Sequence, residues 1–190
     1  VSIDGLINQN DRRRKKGSYK DALRALNFFR ARKLFYGFAT TCTTENLEYL
    51  MHDDFIEQMI EYGCSLGYFV EYVPCGDNPV ENWVPSSLQR DKFRERVLNW
   101  RRGKNIILIQ FPHDEYGRDN KCLSAGKASF HINSQGGVEP CPFVPISKDN
   151  IRNGGLIDAC SSDFLAEIRK HPSLLKRDHL GCALFENIIQ

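Results

Sequence analysis

Along the first 112 residues the apolar positions switch repeatedly between a strand period and a helical one. Val1–Ile3 reads as a short strand stub, and Asn8–Gly17, polar and strongly basic, as a loop. Ser18 stands as an N-cap before Tyr19, Ala22, Leu23, Leu26 and Phe29, which recur at helical spacing. Leu34–Thr44 is aromatic and Thr-rich and predicts a strand. Thr44-Glu45-Asn46 opens a second helical stretch with Phe55, Ile56, Met59 and Ile60 as its buried stripe and Gly63 as its stop. Gly67–Val73 is the next strand, broken by Pro74 and Gly76, and Asn78–Pro85 is a loop. Ser86 or Ser87 caps a helix to about Arg102, with Phe93, Val97, Leu98 and Trp100 as its apolar residues. Ile106–Phe111 is a continuous apolar run, the pattern of a strand buried on both faces.

Strands alternating with helices predict parallel βαβ units with right-handed crossovers. A closed eight-stranded barrel takes about 250 residues, so this segment fits part of a barrel or a small open sheet. After Pro112 the pattern changes. His113–Lys121 is a charged loop, and Ala128–Ile132 and Val138–Cys141 flank a hairpin turn at Asn133-Ser134-Gln135-Gly136-Gly137. Pro140, Pro142 and Pro145 mark irregular chain. A helix is expected from about Leu156 to Arg169 with Phe164, Leu165 and Ile168 inward, ended by Pro172. A boundary near 112–120 divides the chain into domains at 1–112 and 113–190.

The composition of the 190 residues, 41% hydrophobic and 26% charged, excludes a disordered or fibrous chain. A net charge of +2 gives no case for a nucleic-acid or membrane partner. No apolar run approaches the roughly eighteen residues of a membrane helix. With no secretory signal in view, the expected compartment is the cytoplasm. The start at Val1 and the apolar run 183–190 suggest a piece of a longer protein.

Seven cysteines in a reducing compartment then call for metal binding or plain burial rather than disulfides. No CxxC pair exists, which removes the usual zinc-finger spacing. Cys42, Cys64 and Cys160 read as core residues. Cys75, in Pro74-Cys75-Gly76, falls at the C-terminal end of a strand, where α/β folds place ligands. Cys122, Cys141 and Cys182 all lie in the loop-rich C-terminal part, and the hairpin is placed to bring the first two together. Thiolates near turns suit an iron–sulfur cluster, which also needs N–H donors to its sulfurs. Three unrelated buried cysteines is the alternative.

Cys122, thirteen residues, Gly136, four residues, Cys141 resembles the opening motif of the SPASM/Twitch domains of radical S-adenosylmethionine (SAM) enzymes. Phe130-His131-Ile132-Asn133, Gly136-Gly137-Val138-Glu139-Pro140-Cys141 and Asp149-Asn150-Ile151-Arg152 are similar to the same family. Val1-Ser2-Ile3-Asp4-Gly5 resembles the fourth-strand motif of the radical SAM barrel, Asp11-Arg12-Arg13-Arg14 with Gly17-Ser18-Tyr19 the loop after it, Thr44-Glu45-Asn46 the end of the fifth strand, and Phe69–Gly76 the sixth strand and its exit. The matches run in order over nearly the whole chain. The family's CxxxCxxC and the Gly-Gly-Glu stretch after it are absent, as is the fuller SPASM run of closely spaced cysteines.

The resemblance implies an α/β fold: the later strands of a radical SAM (β/α) barrel followed by a small α+β SPASM/Twitch-like domain. It implies an auxiliary [4Fe–4S] cluster on Cys122, Cys141 and Cys182, and SAM with a second [4Fe–4S] cluster in a full-length oxidoreductase or maturase that abstracts hydrogen with a 5′-deoxyadenosyl radical. Ser2, Asp4, Arg14 and Asn46 become candidate SAM contacts, set against a turn, a solvated loop and a helix cap. His131 is a candidate fourth cluster ligand or a structural histidine. His113 is substrate-facing or merely exposed, and Asp114, Glu115 and Asp119 are acid/base candidates by location. This chain by itself is expected not to cleave SAM. Its expected partners are the missing N-terminal half of the barrel or a second copy, and a peptide or small-molecule substrate. A non-catalytic module that binds a cluster or a partner, and a metal-free α/β scaffold, are the competing readings.

Overall fold

The computed structural model describes residues 1–177 and 181–189; Gln190, at the end of the apolar terminal run, lies outside them. Two compact units form: Val1–Tyr72 with Val80–His113, and Val73–Pro79 with Asp114–Gln190. The second therefore also takes in the short excursion after the third predicted strand.

The first unit runs α1 (Ile7–Arg13), α2 (Ser18–Ala31), β1 (Gly37–Cys42), α3 (Leu47–Leu50), α4 (Asp53–Glu61), β2 (Leu66–Glu71), α5 (Ser87–Gly103) and β3 (Ile107–Phe111). The strands pair in the order β1-β2-β3, all parallel, with Gly37 opposite Leu66 and Leu66 opposite Ile107. A parallel bridge from Ser2 to Ala39 lays the N-terminal stub beside β1. The sheet is open; no closed barrel forms among the described residues.

Alternation along each strand sends Phe38, Thr40, Cys42, Gly67, Phe69, Glu71, Leu108 and Gln110 to one buried face. Phe69 is central to the core there, with ring centroids 5.4 Å from Phe38 and 5.0 Å from Phe93 in edge-to-face contact. The opposite face is open: Ile107 is 61% and Ile109 36% exposed. β3 is therefore buried on one face, not two as its unbroken apolar run predicts.

Other expectations change at particular residues. Asn8–Gly17 is mostly helix α1, which lacks an apolar stripe because its inward residue is the fully buried Asn10. Ser18 is the first helical residue of α2 and not its cap; Gly17 occupies that position. The second helical stretch is divided into α3 and α4 at Met51-His52. Ser86 caps α5 as expected, its hydroxyl accepting from Gln89 N–H at 3.2 Å in a capping box. Leu98 of that helix is exposed rather than core.

The second unit contains the hairpin β4 (His131–Ile132) and β5 (Gly137–Glu139), joined antiparallel by β6 (Asp149–Asn150). A short helix α6 (Ile151–Gly154) follows, and the single helix expected from Leu156 to Arg169 is two: α7 (Leu156–Cys160) and α8 (Asp163–Lys170). Gly155, at φ +94°, separates α6 from α7. Ser162 starts α8 by accepting from Leu165 N–H at 3.2 Å. The last helix, α9 (Ala183–Ile189), follows Cys182. Val138, Val144, Leu165, Ile168, Leu175 and Leu184 build this unit's own core. Among the described residues no helix is long and apolar enough to cross a membrane.

Candidate functional site

The cysteines are the chemistry of the second unit. Cys141 and Cys182 are buried within its core, and Cys122 packs against that core. Cys122 forms an antiparallel bridge with Tyr116 and is anchored by its own N–H donating to Leu175 O at 2.8 Å. Cys141 leaves β5 into a turn that Val144 N–H closes on its carbonyl at 3.1 Å. Cys182 precedes α9, and Glu186 N–H bonds its carbonyl at 3.1 Å. Tyr116 pins that turn: its hydroxyl donates to Gly181 O at 3.1 Å and accepts from Ala183 N–H at 2.8 Å.

Each sulfur faces backbone donors. Ala125 N–H reaches Cys122 Sγ at 3.5 Å, with Ser124 N–H beside it. Phe143 and Val144 N–H groups face Cys141, and Phe185 N–H faces Cys182. The Cys141 and Cys182 thiols hydrogen-bond one another. That contact lowers the Cys141 thiol, and with burial it raises the Cys182 thiol. Burial raises the Cys122 thiol despite its two backbone donors. Among the described residues no three His, Cys, Asp or Glu side chains form a site for one metal ion. That arrangement belongs to a single ion; a four-iron cluster takes each thiolate on a different iron. Soft sulfur donors fixed on turns, with N–H groups aimed at them, fit such a cluster.

The first unit's candidates meet at the C-terminal ends of its first strands. Asp4 is fully buried, and its carboxylate accepts four donors: Thr41 N–H at 2.8 Å, Arg13 Nη1 at 2.7 Å, and Arg14 Nε and Nη2 at 2.6 and 3.2 Å. Asn46 is also buried. Its amide donates to Asp4 O at 3.1 Å and Thr41 O at 2.8 Å, and its carbonyl accepts from Thr43 N–H at 2.8 Å. Asp4, Arg14 and Asn46 thus form one braced cluster, while Ser2 is exposed on the neighbouring stub.

The remaining candidates separate. His113 is not the exposed residue that one reading expects: it is half-buried, with Nε2 3.0 Å from Glu71 Oε1. Gln110 Nε2 reaches the same Glu71 oxygen at 3.2 Å. Sequence reading missed this buried Glu71, whose one signal is a carboxylate inside the apolar run of β2. His131 Nδ1 lies 2.8 Å from Glu139 Oε2 across the hairpin. Glu115 accepts from Ser124, and Asp119 pairs with Lys121 at 2.9 Å. Cys42 and Cys64 are core residues of the first unit as expected, but Cys160 is exposed.

No family model matches the sequence, and no curated protein matches it. Solved structures do match. Streptococcus suis SuiB bound to S-adenosylmethionine superposes with a TM-score of 0.67 at 16% identity, over 89% of this chain and 43% of that one. Polyhistidine-tagged anSMEcpe with bound AdoMet gives 0.66 at 15% identity, over 90% of this chain and 50% of that one. SuiB bound to the precursor peptide SuiA gives 0.65 at 16%, over 89% and 43%. The chain spans about half the length of these structures. At such identities the likeness is one of fold alone.

Proposed function

We propose that the chain is part of a radical SAM oxidoreductase or maturase, with its first unit the later strands of the barrel and its second an auxiliary-cluster domain of SPASM/Twitch type. The observation that supports the reading is that Cys141 and Cys182 lie in one small core and Cys122 packs against it, with backbone N–H donors at the sulfurs. These three thiolates would hold a [4Fe–4S] cluster, which when bound would supply an electron relay or an iron that binds substrate.

Asp4, Arg14 and Asn46 gather near the carboxyl end of β1, and α/β sheets bind ligands outside such ends, which supports these candidates. Asp4 and Asn46 are occupied with backbone and arginine partners, so they position. Ser2 and the outer edge of the Arg14 guanidinium are the groups left to meet SAM, the arginine as a carboxylate clamp. SAM and its own cluster belong to a protein that also carries CxxxCxxC. A peptide is the favoured substrate, because SuiB, which shares the fold, is seen with its precursor peptide.

Anaerobic reconstitution with iron and sulfide tests the reading. About four irons per chain with a broad visible absorption are expected, and both disappear in the Cys122→Ala/Cys141→Ala variant. A variant that keeps its iron, or a native chain that takes up none, refutes it.

A further inference from the structure

A fourth cysteine enters the second unit from far upstream. The chain leaves β2 at Tyr72, Val73 is buried in the second core, and Cys75 turns back with its N–H on Val73 O at 2.8 Å. Gly76, at φ +100°, closes the turn in the left-handed region that Gly adopts without strain. Cys141 and Cys182 lie inside that second core, and Cys75 and Cys122 are the two cysteines packed against it. The other three cysteines stand apart, two in the first core and Cys160 exposed. Burial raises the Cys75 thiol, so it is no freely ionised surface nucleophile.

A cubane has four irons, and each takes one ligand from outside the cluster. Three thiolates leave one iron open to solvent or substrate; a fourth closes it. We propose that Cys75 is the fourth thiolate ligand of the cluster held by Cys122, Cys141 and Cys182. The inference rests on the cluster reading above and decides between its two roles: a fully ligated cluster carries electrons and does not bind substrate. Each thiol releases its proton to solvent as iron binds. A ligand that lies between the third predicted strand and α5 also ties the excursion Val73–Pro79 to the metal.

Two measurements on the anaerobically reconstituted 190-residue chain test this. In the first, iodoacetamide labelling is mapped by peptide mass before and after a chelator strips the iron. Cys75 is expected to be protected together with Cys122, Cys141 and Cys182, and to label once iron is gone, while Cys160 labels throughout. In the second, ferricyanide is added to the native chain and to Cys75→Ser, Cys75→Ala and Cys160→Ser variants. An open corner loses its iron: [4Fe–4S]²⁺ gives one electron to ferricyanide and one Fe²⁺ to solution, leaving [3Fe–4S]⁺. Its electron paramagnetic resonance signal is expected from both Cys75 variants and not from the native chain or Cys160→Ser. If Cys75 labels equally fast in loaded and stripped chain while the other three are protected, the proposal falls and the cluster stands. If the native chain takes up no iron, both fall. Should the variants fail to fold, the labelling of the native chain decides alone.

Discussion

Asp11 binds the start of α2 from outside it. Its carboxylate accepts Gly17 N–H at 2.6 Å, Tyr19 N–H at 2.8 Å and the Ser18 hydroxyl at 3.3 Å, which is the capping work that the sequence pattern assigns to Ser18. Those backbone donors hold its pKa below the usual carboxylate value. A depressed folded pKa contributes stability that is present above the unfolded value of about 3.9 and is lost as pH falls through the folded one. Asp11→Ala is therefore expected to melt below the native chain at pH 7, with the gap closing as the pH is lowered past about 4; a gap independent of pH contradicts this. Asp4 and Asn46 show the limit of reading single residues. Both are visible as polar groups at strand ends, but sequence does not say that Arg13, Arg14 and Thr41 saturate Asp4. Cys160 shows the converse, since a helical position alone does not tell which way a short five-residue helix faces.

At the scale of elements, strands were legible wherever apolar and β-branched residues clustered, and helices wherever a stripe recurred. α1 escaped because its inward residue is Asn10, whose amide accepts from Asp4 N–H at 2.9 Å and donates to Ser18 Oγ at 2.8 Å in place of apolar packing. The helix predicted over 156–169 is broken by local chemistry, Ser162 starting a new N-terminus where the apolar period runs straight on. Two exposed isoleucines of β3 carry no mark that distinguishes them from buried ones. Gly67 in β2 is a sharper case. A Cβ there would stand 2.5 Å from Phe38 Cζ and 2.7 Å from Leu108 Cδ2, inside a closely packed layer. Gly67→Ala is expected to destabilise the chain by about 1–3 kcal/mol, measured by urea unfolding; an unchanged midpoint contradicts the tight packing of that layer.

At the scale of the molecule, the open face and free edge of the sheet are the main consequence. Ile107 and Ile109 lie on the uncovered face of the last strand in the order β1-β2-β3. Exposed apolar surface beside an unpaired edge favours association. Light scattering of these 190 residues is expected to show self-association; a stable monomer contradicts it. The organisation of the candidate site was only partly legible. The spacing Cys122, Gly136, Cys141 marks a hairpin that joins two thiols, and Cys182 follows as the third. Nothing in linear spacing brings Cys75 to them, because the connection after β2 joins the second unit through tertiary packing alone. The account turns on whether those thiols hold iron as a cluster. Iron K-edge X-ray absorption of the anaerobically reconstituted chain tests this most directly. A shell of sulfur neighbours followed by an iron–iron shell is the result the account predicts. Iron bound through oxygen and nitrogen alone, without a second iron nearby, would contradict it.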